Sequence, residues 1–173
     1  MNTLRGKEVY LRALELTDLD FLYELENDEN IWSISNTLSP YSRFTLQKYL
    51  ENAHEDIFSA KQLRLAICNN NNEIVGLIDI FDFNPIHKRA GIGVVIKNIE
   101  QRKKGYAFEA LGLIASYAKK HLNMHQLYCN VSSDNEASIA LFKKLGFIQT
   151  GEKRDWNYVN GTFQNENLYQ LIF

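Results

Sequence analysis

The chain has 173 residues, with 19 Lys and Arg against 21 Asp and Glu, for a formal charge of −2. This length suits one domain with a full hydrophobic core, read here as all of 1–173, and the charge argues against a nucleic-acid binder, which carries a basic excess. Two cysteines are too few for a disulfide framework, the N-terminus has no apolar leader, and no apolar run approaches the ~20 residues that span a bilayer. A reduced, cytoplasmic protein without membrane contact is expected.

Alternation over Val9–Leu14 predicts a first strand. Thr17 fits an N-cap, with Asp18 and Asp20 in the first turn of a helix whose apolar face is Leu19, Leu22, Tyr23 and Leu25. Residues 28–42 read as irregular, and a second helix is expected from about Thr45 to Phe58. Strands follow at Leu63–Cys68, Ile74–Phe83 and Ala90–Ile96, the first two joined by a turn of four asparagines. Gly91 and Gly93 mark a bulge or a close backbone approach in the third. Ala107, Ala110, Leu111, Ile114, Ala115 and Ala118 form the stripe of a helix from Tyr106 to about His121. A strand over Gln126–Val131, a short helix over Asn135–Lys144 closed by Gly146, and a hairpin turning at Asn160-Gly161 complete the chain. The hairpin arms are placed at Trp156–Val159 and Thr162–Ile172. The order implies an α/β (α+β) fold with a mixed sheet, helices on both faces, and a parallel crossover from Ile92 to Val131.

The segment from Val94 to Ala107 carries the chemistry. A strand ends at Val94-Val95-Ile96, a basic turn follows at Arg102-Lys103-Lys104, and a helix opens at Gly105-Tyr106-Ala107. Free N–H groups at a helix start bind anions, Gly lets a ligand approach the backbone, and Arg grips phosphate oxygens in pairs. A phosphorylated ligand fits this turn, as does a plain solvated basic turn, and spacing alone leaves both open. The GxxxxGK[ST] and GxGxxG patterns are missing.

Arg102-x-x-Gly105-x-Ala107 resembles the Q/R-x-x-G-x-G/A signature of the GNAT superfamily of N-acetyltransferases. Gly93-Val94-Val95-Ile96 before it resembles the family in the same order along the chain. So do Gly105 to Leu111, Asn135-x-x-Ser138 and Leu145-Gly146-Phe147 after it. The opening Tyr10-Leu11-Arg12-Ala13-Leu14-Glu15-x-x-Asp18-Leu19 does so too. The nearest branch is that of ribosomal-protein N-terminal and spermidine N-acetyltransferases. Asn84-x-x-His87-x-Arg89-Ala90 and the closing hairpin look like the polyamine enzymes in particular.

The resemblance implies a GNAT fold: a mostly antiparallel sheet of six to seven strands that splays into a cofactor cleft. It implies acetyl-CoA as co-substrate, with its pyrophosphate on Arg102 to Ala107 and its pantetheine arm along Val94, Val95 and Ile96. Asn135 matches a position contacting that arm, and it also fits a helix N-cap. The acceptor is a primary amine: a polyamine, a protein N-terminus or another small amine. Glu24, Glu26, Asp28 and Glu29 make the acceptor neighbourhood acidic.

Many relatives have a Tyr three residues before Leu-Gly-Phe, where it protonates the departing thiolate. Here that residue is Phe142, which carries no proton but can pack on pantetheine. Ser138 is the best substitute as donor, and Asp79 and Asp82, with Tyr128 and Glu152 behind them, are candidate bases. Asp79 and Asp82 are an odd number apart, so one faces the cleft unless a bulge intervenes. His87 reads as a loop residue, and the histidines show no metal spacing with Cys68 or Cys129, so no metal is expected. Phe142 keeps open the alternative of a non-catalytic acyl-CoA sensor. The long C-terminal strand could join subunits into a homodimer or larger homo-oligomer.

Overall fold

The computed structural model describes residues 2–35 and 37–173. Seven strands form one sheet in the order β1-β2-β3-β4-β5-β7-β6. They are β1 (Val9–Ala13), β2 (Leu63–Asn69), β3 (Ile74–Asn84), β4 (Arg89–Ile96), β5 (Gln126–Ser132), β6 (Ile148–Val159) and β7 (Thr162–Ile172). All neighbours are antiparallel except β4 and β5, which the crossover joins in parallel. This mixed sheet is the architecture anticipated from the strand order.

Alternation along the strands feeds two cores. On one face Ile67, Ile78, Ile80, Ile92 and Leu127 pack with Ala110, Leu111 and Ile114 of α5 (Tyr106–Lys120) and Phe142 of α6 (Glu136–Lys144). The small residues of α5 let it lie close to the sheet. On the other face Ala66, Cys68 and Leu77 meet Leu22 and Leu25 of α1 (Leu19–Glu26), Ile31 of α2 (Glu29–Ser35), and Leu46 and Leu50 of α3 (Arg43–Glu51). A short α4 covers Ile57–Ala60.

Four expectations are corrected. The stretch 28–42 holds the helix α2, tied to α1 by the Trp32 indole N–H bonding the Glu26 carbonyl at 2.9 Å. The helix expected over Thr45–Phe58 is two, because α3 ends at Glu51 and Asp56 starts α4 by accepting from the Phe58 and Ser59 N–H groups. Thr17 does not cap α1. It sits inside a 3-10 turn (Leu16–Asp18), while Glu15 and Asp18 form a capping box. The first hairpin arm starts at Ile148, not Trp156, and two register shifts break its alternation.

The buried Asp18 carboxylate also anchors β1. It takes two Arg12 hydrogen bonds at 2.7 and 2.8 Å and the Glu15 N–H at 2.8 Å. Burial would push its pKa up, but the Arg12 bonds and the backbone donor outweigh that and hold it below the ordinary carboxylate value.

Candidate active site

Strands β4 and β5 pair only over Arg89–Gly91 and Gln126–Tyr128. Beyond Gly91 they diverge, and β4 keeps its ladder with β3 through Ile96. Alternate N–H and C=O groups on the other side of β4 therefore face a gap. The gap is a cleft of about 920 Å³. Ile92, Val94, Cys129, Val131 and Phe142 make its apolar part. Glu26 of α1, Ile31 and Ser35 of α2, and Trp156, Asn157 and Val159 of the β6–β7 hairpin make its walls.

Several predicted site residues meet here. Val94 and Val95 line the cleft, while Ile96 is buried at the end of the strand. Asn135 caps α6, its Oδ1 accepting the Ser138 N–H at 3.1 Å, and it lines the cleft as well. Ser138 is half-buried and faces the same space. One turn further along α6, Phe142 is buried edge-on to Phe147, centroids 5.1 Å apart, and still touches the cleft.

Asp79 and Asp82 are separated. A register shift between Phe81 and Asn84, with Asp82 at φ 47°, turns Asp82 outward. Asp82 is exposed, lies outside the cleft lining, and accepts the Tyr128 hydroxyl at 2.9 Å. Burial first, and Asp82 second, push the Tyr128 phenol up to about 12. Asp79 lines the cleft, but Arg64 Nε donates to its Oδ1 at 2.6 Å. The same guanidinium donates from Nη1 to Glu26 Oε1 at 2.7 Å. Burial opposes the Arg64 charge, and the attraction and hydrogen bond of Asp79 outweigh it, raising its pKa further. Across the cleft, Lys153 Nζ meets Glu166 Oε1 at 2.6 Å. Four lining carboxylates, Glu26, Asp79, Asp134 and Glu166, face two cations, Arg64 and Lys153, so the lining is net acidic.

The basic turn lies past the end of β4, outside the cleft lining. A 3-10 turn (Ile99–Gln101) leads to Arg102, then Lys103 at φ 71°, then Gly105 at φ 85° as the N-cap of α5. A Cβ at Gly105 would meet nothing within 4 Å, so glycine serves the left-handed backbone here and leaves open space above it. The first bond along α5 runs from the Glu109 N–H to the Gly105 carbonyl. Tyr106, Ala107 and Phe108 thus keep N–H groups without an intrahelical partner. Lys103 and Lys104 are exposed and form no ion pair among the described residues. The Arg102 side chain turns back instead, its Nε bonding the Ile96 carbonyl at 3.0 Å. It fastens the turn to the strand that lines the cleft. Free amides, two lysines and an uncovered turn form a donor set that fits a nucleotide pyrophosphate.

The sequence did not mark Arg64, Lys153 or Glu166 as site residues, and it placed Cys129 as a buried thiol and Trp156 on the hairpin arm without assigning either to the cleft. Arg64 had a signal: a charge between Leu63 and Leu65, matched by Asp79 between Ile78 and Ile80. Two facing strands that each bury one opposite charge announce a buried pair. Among the described residues no group of three or more His, Cys, Asp or Glu is placed to hold a metal, and no helix is long and apolar enough to cross a membrane.

Known proteins resemble this arrangement across nearly the whole chain. A family model described as acetyltransferase (GNAT) domain matches residues 8–148. The spermidine N(1)-acetyltransferase of Vibrio cholerae is 29% identical over 167 residues, covering 96% of this chain and 94% of the relative. That of Escherichia coli strain K12 is 31% identical over 158 residues, covering 91% and 82%. The crystal structure of the Vibrio cholerae enzyme in complex with CoA and spermine superposes with a TM-score of 0.84 at 28% identity, covering 96% of each chain. A dodecameric structure of that enzyme gives 0.79 at 26% identity, covering 96% and 95%.

Proposed function

The chain belongs to the GNAT acetyltransferases and uses acetyl-CoA to acetylate an amine, and from that premise we propose that its acceptor is a primary amine of a polyamine. The observation that carries this is the net-acidic lining of the cleft, with Glu26, Asp79 and Glu166 all half-buried or deeper. Charges held in a partly dry space attract a polycation far more strongly than the same charges on an open surface. The resemblance to two bacterial spermidine acetyltransferases supports the same reading. The unit at work is read as the whole of 1–173, one domain. Two free, buried thiols, Cys68 and Cys129, fit a reducing cytoplasm.

The co-substrate supplies an acetyl group on a thioester. Tyr106, Ala107 and Phe108 N–H groups, with Lys103 and Lys104, hold its phosphates at the positive end of α5. Arg102 keeps that turn in register with β4. The unpaired edge of Val94 and Val95 receives the amide-bearing arm as a sheet edge receives a strand, and Phe142 packs against it. β4 N–H groups that face the cleft polarise the carbonyl.

The acceptor nitrogen must arrive neutral, since alkyl ammonium groups ordinarily titrate near pH 10.4. Water takes the ammonium proton before attack and, once the nitrogen is acylated, the second proton that balances the one sulfur gains, because Asp79 is held by Arg64 and Asp82 lies outside the cleft. The new C–N bond forms as the C–S bond breaks, and the sulfur takes a proton. Phe142 has none to give. Ser138 Oγ, in the same cleft, gives its own and regains one from water.

Release of free CoA thiol from acetyl-CoA, measured with spermidine, with Arg- and Ser-starting peptides and with amino sugars, tests the acceptor. Spermidine is expected to show the highest kcat/KM. A clear preference for peptides or amino sugars overturns the polyamine reading.

A further inference from the structure

Arg64 is an odd occupant of a cleft meant for a cation. It sits on β2 directly across the ladder from Asp79, and Asp79 in turn stands across from Gly93 on β4. One guanidinium spans two elements: Nε reaches Asp79 Oδ1 on β3 and Nη1 reaches Glu26 Oε1 at the end of α1. Gln62 Nε2 approaches the same Asp79 oxygen at 3.5 Å, and the Tyr49 ring lies 5.8 Å from the guanidinium carbon. The three charged side chains keep 24, 15 and 19% of their surface open for Arg64, Glu26 and Asp79, and all three line the cleft. A tie between helix and sheet does not require charge, since apolar residues of similar volume serve a buried contact as well. The charge therefore calls for a reason of its own.

We propose that Arg64 is a specificity residue: a resident counter-cation that limits how strongly the cleft attracts a polycationic acceptor. With Arg64 present, Glu26 and Asp79 together keep one net negative charge. Without it they present two. The residue thus sets the acceptor's electrostatic affinity, while the reacting nitrogen is positioned by other groups. The inference rests on the reading of this cleft as the acceptor site.

Calorimetric titration of the protein with CoA present, using spermidine as the probe, tests it without requiring turnover. Arg64→Gln is expected to bind spermidine roughly tenfold tighter at low salt, the size expected for one unit charge in a partly wet cleft, and to lose that gain at high salt. Glu26→Gln, which leaves Arg64 in place, is expected to bind roughly tenfold more weakly, so the test survives even where one variant fails to fold. Lys120→Gln removes an exposed positive charge at the far end of α5 and is expected to change nothing. Unchanged affinity in both cleft variants, weaker binding in Arg64→Gln, a gain indifferent to salt, or the same gain in Lys120→Gln overturns the proposal. Failure of wild-type protein to acetylate spermidine would instead sink the polyamine reading and leave this binding comparison to stand or fall by itself.

Discussion

Gly91 and Phe81 face each other across the β3–β4 ladder, and the ring lies where a Gly91 side chain would be. A Cβ on Gly91 would come within 2.6 Å of Phe81 Cδ2 and nearer still to two other ring carbons. This is the last residue of β4 paired with β5, so the close approach sits at the fork where the cleft begins. Gly91→Ala is expected to cost about 2 kcal/mol through overpacking, read by chemical denaturation, and Phe81→Leu in the same protein is expected to restore part of it. A fully stable Gly91→Ala protein would contradict the packing described.

The turn after β4 divides its labour between side chains. Arg102 bonds the Ile96 carbonyl, and Lys103 and Lys104 stay exposed, which suits the phosphate role proposed for them. Arg102→Ala with Lys104→Ala is expected to raise the KM for acetyl-CoA about tenfold or more, and that for the acceptor little. Steady-state kinetics with each substrate varied separately reads the split. Unchanged cofactor KM would place the phosphates elsewhere.

Ser138 and Phe142 stand one turn apart on α6 and share the cleft. Ser138→Ala is expected to lower kcat by about tenfold to a hundredfold with little change in the KM for acetyl-CoA. Phe142→Tyr restores a proton at the position many relatives use, and it is expected to raise kcat and to rescue Ser138→Ala. Equal kcat in wild type and Ser138→Ala would remove Ser138 from proton transfer.

Asp18 gives a pH dependence whose sign follows from its depressed pKa. The carboxylate is favoured in the folded state, so its stabilisation is present above the unfolded carboxyl pKa near 4 and fades as pH falls through the lower folded value. Asp18→Asn is expected to cost about 2 kcal/mol at pH 7, a modest figure because Arg12 stays 31% open to water. Guanidinium unfolding at pH 7 and at pH 3 is expected to show the difference shrinking toward the acid end.

Burial pushes the Cys129 thiol up to about 12 and raises Cys68 as well. Native protein at pH 8 is expected to react slowly with a thiol reagent, while denatured protein releases two equivalents at once. Fast native reaction of Cys129 would contradict the burial of its thiol.

Most strands and the start of α5 were legible because their signals are local. Alternation of residue types marks β1 and β2, and a glycine between a basic run and an apolar stripe marks the start of α5. Asn135 read equally well as cap and as cleft residue, and the geometry allows both. What was hidden depended on partners distant in sequence. The helix α2 is held by the bond from Trp32 to α1 rather than by a strong pattern of its own. The early part of β6 lost its alternation to two register shifts, which concealed Lys153. Asp79 looked like a free base until Arg64, fifteen residues away, closed on it.

Mass spectrometry of the products formed from acetyl-CoA and spermidine tests the central claim most directly. Singly acetylated spermidine is expected to appear in step with free CoA. Acetyl-CoA left intact with spermidine, under conditions where a monoamine or a peptide is acetylated, would contradict it.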